Sequence, residues 1–117
     1  ILPDGFASLC SLQWLDLSYS RVAVLPRGFG KLRALQWLCL CRCPLESLPA
    51  DFGHLPVLEE LDISRSGLIT VPPSFAKFKA LQKLDITGLQ LNGGIQSAVE
   101  RLGEALPWLQ VTGWTEP

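Results

Sequence analysis

The chain has 117 residues, of which 48% are apolar, and its ten basic and eleven acidic residues leave a formal net charge of −1. This composition excludes a disordered chain, because such chains are poor in large apolar residues. The small net charge argues against nucleic acid or an anionic membrane as the partner, since both attract strongly basic surfaces. No apolar run approaches the roughly 18 residues that a membrane-spanning helix requires.

One unit recurs through most of the chain at intervals of 23 residues. Its first part reads L-x-x-L-x-L, with Ile for the last Leu in two copies, and begins at residues 12, 35, 58 and 81. The last two apolar positions alternate with other residues, which predicts a short strand with one buried face. A period of about 20 to 50 residues is typical of a solenoid, in which each repeat buries its apolar face on its neighbours.

Each predicted strand is followed by a bend, and after the first three bends comes a Leu-Pro or Val-Pro pair. Proline fixes φ and suits the first turn of a helical segment, so a short helix or 3₁₀ turn is expected there. Two apolar residues three positions apart would share one face of that segment. These pairs are Phe29 and Leu32, Phe52 and Leu55, and Phe75 and Phe78.

The last unit departs from this period. Apolar residues recur at helical spacing across 95–106, with charged residues opposite, which predicts a longer helix. The stretch 106–111 then repeats the strand pattern, with Val111 in the place that Ile86 holds in the preceding unit. Residues 92–117 are therefore expected to form a C-terminal cap.

The four units resemble the leucine-rich-repeat family, whose motif is L-x-x-L-x-L-x-x-N-x-L, and the resemblance covers essentially the whole chain. It implies an α/β solenoid with a parallel β-sheet on the concave side and short helical or 3₁₀ segments on the convex side. A C-terminal helix and a last strand would form the cap. The Leu-Pro-x-x-Phe-Gly ending resembles intracellular subclasses: plant Ras-group scaffolds, nucleotide-binding immune receptors, and some bacterial effectors.

A single domain is expected over residues 1–117. The chain contains no methionine and opens inside a repeat, although a natural start requires an initiator Met and a solenoid normally needs a polar N-terminal cap. Residues 1–11 are therefore expected to be a truncated first repeat, 12–91 to hold four regular strand units, and 92–117 to be the cap. Missing N-terminal domains of the same chain are one candidate partner.

The residues between the strand leucines are expected to point outward on the concave sheet and to form columns from one strand to the next. Exposed Trp, Tyr and Arg are enriched in interface hot spots, and the family usually binds through this face. Two alternatives remain open: that the first two Trp residues merely stack on each other, or that an upstream segment covers them. The predicted partner-binding residues are Trp14, Asp16, Tyr19, Trp37, Cys39, Arg42, Glu60, Asp62, Arg65, Lys83, Asp85 and Trp108, with Trp108 as the last member of the column that Trp14 begins.

The sequence predicts no catalytic, metal or cofactor site. The carboxylates Asp16, Asp62 and Asp85 stand where the resembled family commonly has Asp, so an acid–base role is not expected. The run Cys39, Cys41 and Cys43 lacks the spacing and the fourth ligand of a zinc site, and a Cys39–Cys41 disulfide would strain a flat strand. Free thiols in a reducing, cytoplasmic compartment are expected, with Cys39 and Cys41 exposed on the concave face and Cys43 in the bend.

Two further features are interpreted from the sequence. The motif's Asn is replaced by Ser20, Cys43, Ser66 and Leu89, and because Leu cannot form a hydrogen bond with the backbone, a less regular and less stable fourth bend is expected. The convex segments carry basic residues that are interpreted as a solvated face interrupted by Asp4 and Asp51. These are Arg27, Lys31, Arg33, Lys77 and Lys79.

These observations predict a non-enzymatic module that binds a protein partner, with nucleic acid and membrane excluded. It would be the C-terminal part of a longer intracellular leucine-rich-repeat protein with a signalling or scaffold role. Two alternatives stay open: the sensor or autoinhibitory arm of a nucleotide-binding immune receptor, and the substrate-binding repeats of a bacterial effector whose catalytic domain lies elsewhere.

Overall fold

A computed structural model describes residues 10–26, 28–90 and 93–113. In these ranges five three-residue strands form one parallel sheet, in the order β1-β2-β3-β4-β5. Each strand pairs with the next along the chain, so the backbone winds as a solenoid, as predicted. The strands are β1 (Trp14–Asp16), β2 (Trp37–Cys39), β3 (Glu60–Asp62), β4 (Lys83–Asp85) and β5 (Gln110–Thr112).

The register of the first four strands follows the 23-residue period. Trp14 lies opposite Trp37, Trp37 opposite Glu60, and Glu60 opposite Lys83. We call each strand, together with the bend and turn that follow it, a rung. Because every rung repeats the same apolar positions, equivalent leucines pack on one another, and Leu38, Leu61 and Leu84 are each at most 2% exposed.

On the convex side of the described residues lie three 3₁₀ turns, at Phe29–Lys31, Phe52–His54 and Pro73–Lys77. Their phenylalanines form a buried stack, in which the ring centroids of Phe29 and Phe52 are 5.9 Å apart and those of Phe52 and Phe75 are 6.4 Å apart. Phe78 meets the last two rings edge-on. Aromatic packing of this kind stabilises a core beyond its burial of area, so the stack joins the rungs along the convex side.

Two glycines allow neighbouring convex turns to approach each other closely. A Cβ atom on Gly53 would lie 1.6 Å from the carbonyl oxygen of Ser74, and one on Gly30 would lie 2.1 Å from that of Asp51. The Gly53 amide donates to the Ser74 hydroxyl at 3.0 Å, and the Gly30 amide donates to the Asp51 carboxylate at 3.2 Å. Glycine is required at these positions because the next rung occupies the space of a side chain.

The bends after the strands place a residue in the left-handed region. Tyr19, Arg42 and Arg65 have φ of 61°, 59° and 53°, and Gly88 takes the same place in the fourth rung with φ of 83°. Few residues other than glycine adopt this conformation, which is required in the third residue of a type II turn.

The residues that replace the motif's Asn lie inside the bends. Ser66 donates to the Ile63 carbonyl at 2.7 Å, and the Cys43 thiol donates to the Leu17 carbonyl at 2.8 Å. Leu89 keeps only the backbone bond of the turn, from its amide to the Ile86 carbonyl at 3.1 Å. The fourth bend thus retains its turn but has no side-chain bond from this position, and its lower stability stays a prediction.

Helix α1 (Gly93–Ala105) follows the fourth rung and packs against the 3₁₀ turn at Pro73–Lys77. Four of its apolar side chains are buried on the face that the periodicity predicts; they are Ile95, Ala98, Val99 and Leu102. The predicted helix and last strand are therefore present, and the extent of the cap over residues 92–117 stays a prediction. Most of the truncated repeat predicted at residues 1–11 lies outside the described residues.

The predicted register of the last strand is wrong. Lys83 lies opposite Gln110 and Leu84 lies opposite Val111, so Val111 takes the place of the middle strand leucine and not that of Ile86. The sequence pattern misled because Leu106, Leu109 and Val111 imitate the spacing of an ordinary unit. Because α1 lies between β4 and β5, the stretch of chain between these two strands is longer than between the earlier strands. The apolar pattern alone does not give its length.

Candidate functional site

The concave face consists of two columns of outward-pointing strand residues that run across all five strands. The first column contains Trp14, Trp37, Glu60, Lys83 and Gln110. The second contains Asp16, Cys39, Asp62, Asp85 and Thr112. Eight of the twelve predicted site residues therefore lie together in these columns, because side chains alternate along each strand while neighbouring strands stay in register.

Trp14 and Trp37 stack face to face, with ring centroids 4.4 Å apart and an angle of 9° between the rings. Trp14 is 59% exposed, while Trp37 is partly buried. Cross-strand aromatic pairs contribute up to about 1 kcal/mol to a sheet, so stacking accounts for part of the role of this pair. It does not account for the large apolar surface that Trp14 leaves in solvent.

Tyr19 and Arg42 lie at the bends, beside the concave face. The Arg42 guanidinium carbon is 5.6 Å from the centre of the Tyr19 ring, and Tyr19 is 73% exposed. This cation–π contact holds two exposed side chains at the left-handed positions of neighbouring rungs. Arg65 occupies the equivalent position in the third rung and is also exposed.

Each aspartate of the second column binds a residue of its own rung. The carboxylate of Asp62 accepts bonds from the Ser64 hydroxyl at 2.6 Å and from the Ser64 amide at 2.9 Å. Asp16 makes the same pair of bonds with Ser18, and Asp85 makes them with Thr87. These bonds from Ser18 hold the pKa of Asp16 below its ordinary value. Through these hydrogen bonds the three carboxylates stabilise the backbone at the start of each bend.

The expectation that the Cys39 thiol is exposed is wrong. Cys39 lies in the second column but is 7% exposed, because its short side chain is enclosed between the rungs of Asp16 and Asp62. Its thiol approaches the Asp62 carboxylate at 3.8 Å. Burial, reinforced by the charges of both aspartates, raises the pKa of Cys39 to about 11. The thiol is therefore protonated and unreactive at neutral pH.

The other cysteines differ in exposure. Cys41 is partly exposed, and Cys43 is buried in the bend with its sulfur 3.4 Å from the Ser20 hydroxyl oxygen. Cys10 is exposed, and all four thiols are free. Within the described ranges no group of three or more His, Cys, Asp or Glu side chains is arranged to hold a metal ion.

A groove of about 340 Å³ lies on the concave face across β3, β4 and β5. Its walls carry the salt bridge between Lys83 and Glu60, whose charged atoms are 3.5 Å apart and well exposed. Six of its lining residues come from the two columns of β3, β4 and β5, and Trp37 closes one end. They are Glu60, Asp62, Lys83, Asp85, Gln110 and Thr112.

Trp108 does not belong to the Trp14 column, which corrects the predicted site. Because the last register is shifted, Gln110 takes that place, while Trp108 precedes β5 and donates from its indole nitrogen to the Leu81 carbonyl at 3.0 Å. Trp108 is still 55% exposed and lines a depression of about 280 Å³ beside the groove. It therefore borders the candidate site.

The predicted site residues omitted Gln110 and Thr112, which line the groove. The signal that could have located them was the β-branched pair Val111 and Thr112 followed by Gly113, since β-branched residues favour strands and glycine often ends them. A Cβ atom on Gly113 would lie 2.5 Å from the Thr87 amide nitrogen, so glycine is needed there.

A groove of similar volume lies on the convex side, lined by residues from 53–56 together with Lys77 and Lys79. The concave groove is the better candidate for the predicted site because the Trp pair and the polar columns surround it.

Among the described residues, no helix is long and apolar enough to cross a membrane.

Comparison with known proteins identifies the class of this fold. Residues 34–55 match the model of the family described as Leucine Rich Repeat. Among solved structures, the chain is similar to an LRR protein of Leptospira interrogans, with 32% sequence identity and a TM-score of 0.77. The similarity covers 95% of this chain and 28% of the other, so this chain spans a little over a quarter of that protein. No curated protein matches the chain.

The structure is thus a leucine-rich-repeat solenoid, which confirms the predicted fold class. Leucine-rich-repeat proteins generally mediate protein–protein interactions and are typically not enzymes. The intracellular subclass suggested by the Leu-Pro-x-x-Phe-Gly ending stays a prediction.

Proposed function

We propose that this chain binds a protein partner through its concave face, with the groove beside Trp37 at the centre of the contact. The observation that carries the proposal is the composition of the groove, which is lined by polar side chains of the two columns and closed at one end by Trp37, the partner of Trp14 in the aromatic stack. A concave, partly apolar site with a few polar groups is the usual form of a binding site.

Trp14 and Trp37 are the proposed anchors. Trp14 leaves more than half of its surface in solvent, and the stack already restricts both rings. A partner that covers Trp14 therefore gains apolar contact at a small cost in side-chain entropy. Tyr19 and Arg42 extend this surface towards the bends, with their relative positions held by the cation–π contact.

The charged residues of the groove supply specificity in this proposal. The salt bridge between Glu60 and Lys83 is exposed, so it contributes little to stability. Both charges are free to exchange partners when another protein approaches, and complementary charges mainly set the association rate and exclude wrong partners.

The proposed setting is a longer leucine-rich-repeat protein with a signalling or scaffold role. A reducing compartment such as the cytoplasm is proposed as its location. Four free cysteines support that location, because oxidising compartments favour disulfides.

Site-specific photo-crosslinking tests this function. A photo-reactive residue at Gln110, inside the groove, should capture the partner from an extract of the source cells. The same residue at Glu46, which is exposed and lies outside the concave columns, should not. Equal capture at both positions would argue against the groove as the site.

The captured partner then allows a measurement of affinity. Replacing Trp14 and Trp37 with Ala should weaken binding by about 2 kcal/mol or more while the fold is retained. The matched control replaces Val24 and Ile69, two exposed apolar residues outside the concave columns, with Ala. Unchanged affinity in a folded Trp14→Ala/Trp37→Ala variant would contradict the proposal.

A further inference from the structure

The convex side of the solenoid carries a concentrated positive charge. We define the convex basic stripe as Lys31, Arg33, His54, Lys77 and Lys79. These residues occupy two equivalent positions on successive convex turns, and all five are exposed. The sequence alone favours a solvated face here, but the structure adds three observations that point to a ligand.

The first observation is that the charges of the stripe are not neutralised locally. In the described residues of the convex segments (28–34, 49–57 and 72–80) the acidic residue is Asp51, whose carboxylate accepts a bond from the Gly30 amide. The salt bridge in the described part of the chain joins Lys83 to Glu60 on the opposite face. A chain with a net charge of −1 thus presents an unpaired positive surface on its convex side.

The second observation is a groove of about 340 Å³ in this surface. It is lined by Gly53, Leu55 and Pro56 together with the basic residues His54, Lys77 and Lys79. A lining that combines apolar and basic residues suits a chain that carries both acidic and small apolar side chains, and suits a bare anion less well.

The third observation is the interval between the charges. The phenylalanine rings beneath the stripe are 5.9 and 6.4 Å apart, so the convex turns follow one another at about this distance. Lys31, His54 and Lys77 recur once per turn. In an extended strand, side chains on one face recur about every 6.6 Å, which is close to the same interval.

Single-stranded nucleic acid fits this surface less well. Proteins that bind it commonly offer exposed aromatic rings on which the bases stack. The phenylalanines of the convex segments are buried, each at most 2% exposed; they are Phe29, Phe52, Phe75 and Phe78.

We propose that the convex basic stripe binds an extended acidic segment of a partner protein, in which Asp or Glu stands at every second position. The acidic side chains face one cation or His54 per turn, and a side chain of the segment enters the groove beside Pro56. This site is separate from the concave face and does not depend on the function proposed for it.

A pair of synthetic peptides tests the proposal on the 117-residue chain. One peptide of about eight residues alternates Glu with Thr, and its isomer carries the same residues as a Glu block followed by a Thr block. Because both have the same charge, a difference in affinity reports spacing. The alternating peptide should bind about fivefold more tightly at low salt, with NMR shift changes on the described convex segments.

Charge-removal variants locate the site. Lys77→Gln/Lys79→Gln should weaken the alternating peptide about tenfold. The matched control, Arg21→Gln/Arg101→Gln, also removes two exposed cations but lies outside the stripe, and should change affinity less than about twofold.

Three results would overturn the proposal. Equal affinity for the two peptides would show that the spacing of the acidic residues does not matter. An equal loss of affinity in the two double variants would show that the peptide does not bind at the convex basic stripe. Tighter binding of an oligouridylate with the same number of charges, with shift changes on the same segments, would assign the stripe to nucleic acid.

Discussion

The convex and concave sides of the same repeats differ in how much residue variation they accept. Each described convex turn has Phe at one position, and the first two have Gly directly after it, whereas the second concave column changes from Asp to Cys and back to Asp. Convex turns contact each other through their backbones, so geometry dictates the residue. The side chains of the concave columns, apart from that of Cys39, reach solvent, so the leucines beneath them keep the fold while the surface changes. A binding specificity can therefore vary on the concave face without loss of the solenoid.

The second and third rungs show this freedom within one sheet. In the third rung, Asp62 accepts two short bonds from Ser64. In the second rung, Cys39 and Cys41 replace this pair, and the Cys39 thiol lies 3.8 Å from the Asp62 carboxylate of the next rung. The backbone register is the same in both, which shows that the polar pair is not needed to form the strand.

The largest expected effect tests the convex side. Gly53→Ala should destabilise the fold by about 3 kcal/mol, because its Cβ atom would overlap the Ser74 carbonyl and force the backbone apart. Urea unfolding measures this change. The control is Gly103→Ala, where nothing lies within 4 Å in helix α1, and which should stabilise the chain by up to about 1 kcal/mol. An unchanged midpoint for Gly53→Ala would show that the turns are not tightly packed.

A smaller effect compares equivalent positions on the concave side. Ser64→Ala should cost about 1 kcal/mol, because it removes the 2.6 Å bond to Asp62 from a buried hydroxyl. Cys41→Ala, one rung earlier, should cost less than half as much. Unfolding midpoints of the two variants give the difference, and equal losses would mean that the Asp–Ser bonds add nothing beyond burial.

The raised pKa of the Cys39 thiol predicts that the stability of the fold depends on pH through the second rung. Its pKa is raised from an ordinary 9.0 to about 11, so at pH values between these the unfolded chain has released a proton that the folded chain still holds. The free energy of unfolding should therefore fall as pH rises through this window. Below the window, the stability that the protonated Cys39 thiol contributes is fully present. The wild type should lose more stability than Cys39→Ala, while Cys10→Ala should behave like the wild type. Identical pH profiles for wild type and Cys39→Ala would contradict the prediction.

The smallest effect compares the third and fourth bends. Amides at residues 87–90 should exchange with solvent about threefold faster than those at 64–67, because Leu89 lacks the side-chain bond that Ser66 makes to Ile63. Hydrogen exchange followed by NMR measures both segments in one sample. Slow exchange across 87–90 would show that burial of Leu89 compensates for the missing bond.

Most of the architecture could be predicted from the sequence because the repeat carries its own register. Apolar residues at the same positions every 23 residues can be buried together only if the strands align in phase, and the structure has this alignment from β1 to β4. The phenylalanine stack and the apolar face of α1 follow in the same way. Most members of the concave columns therefore follow from the repeat alone.

The remaining features depend on what lies beside each residue in the next rung, and a repeat pattern does not describe that. Gln110, and not Trp108, is the last member of the first concave column, because α1 sets the number of residues between β4 and β5. The burial of Cys39 depends on the aspartates on either side. The sequence by itself thus determined the repeat and its leucine core, since burial requires periodic apolar residues. Only the tertiary structure decided which outward residues meet around the concave groove and which cations gather on the convex stripe, because those contacts join rungs across space.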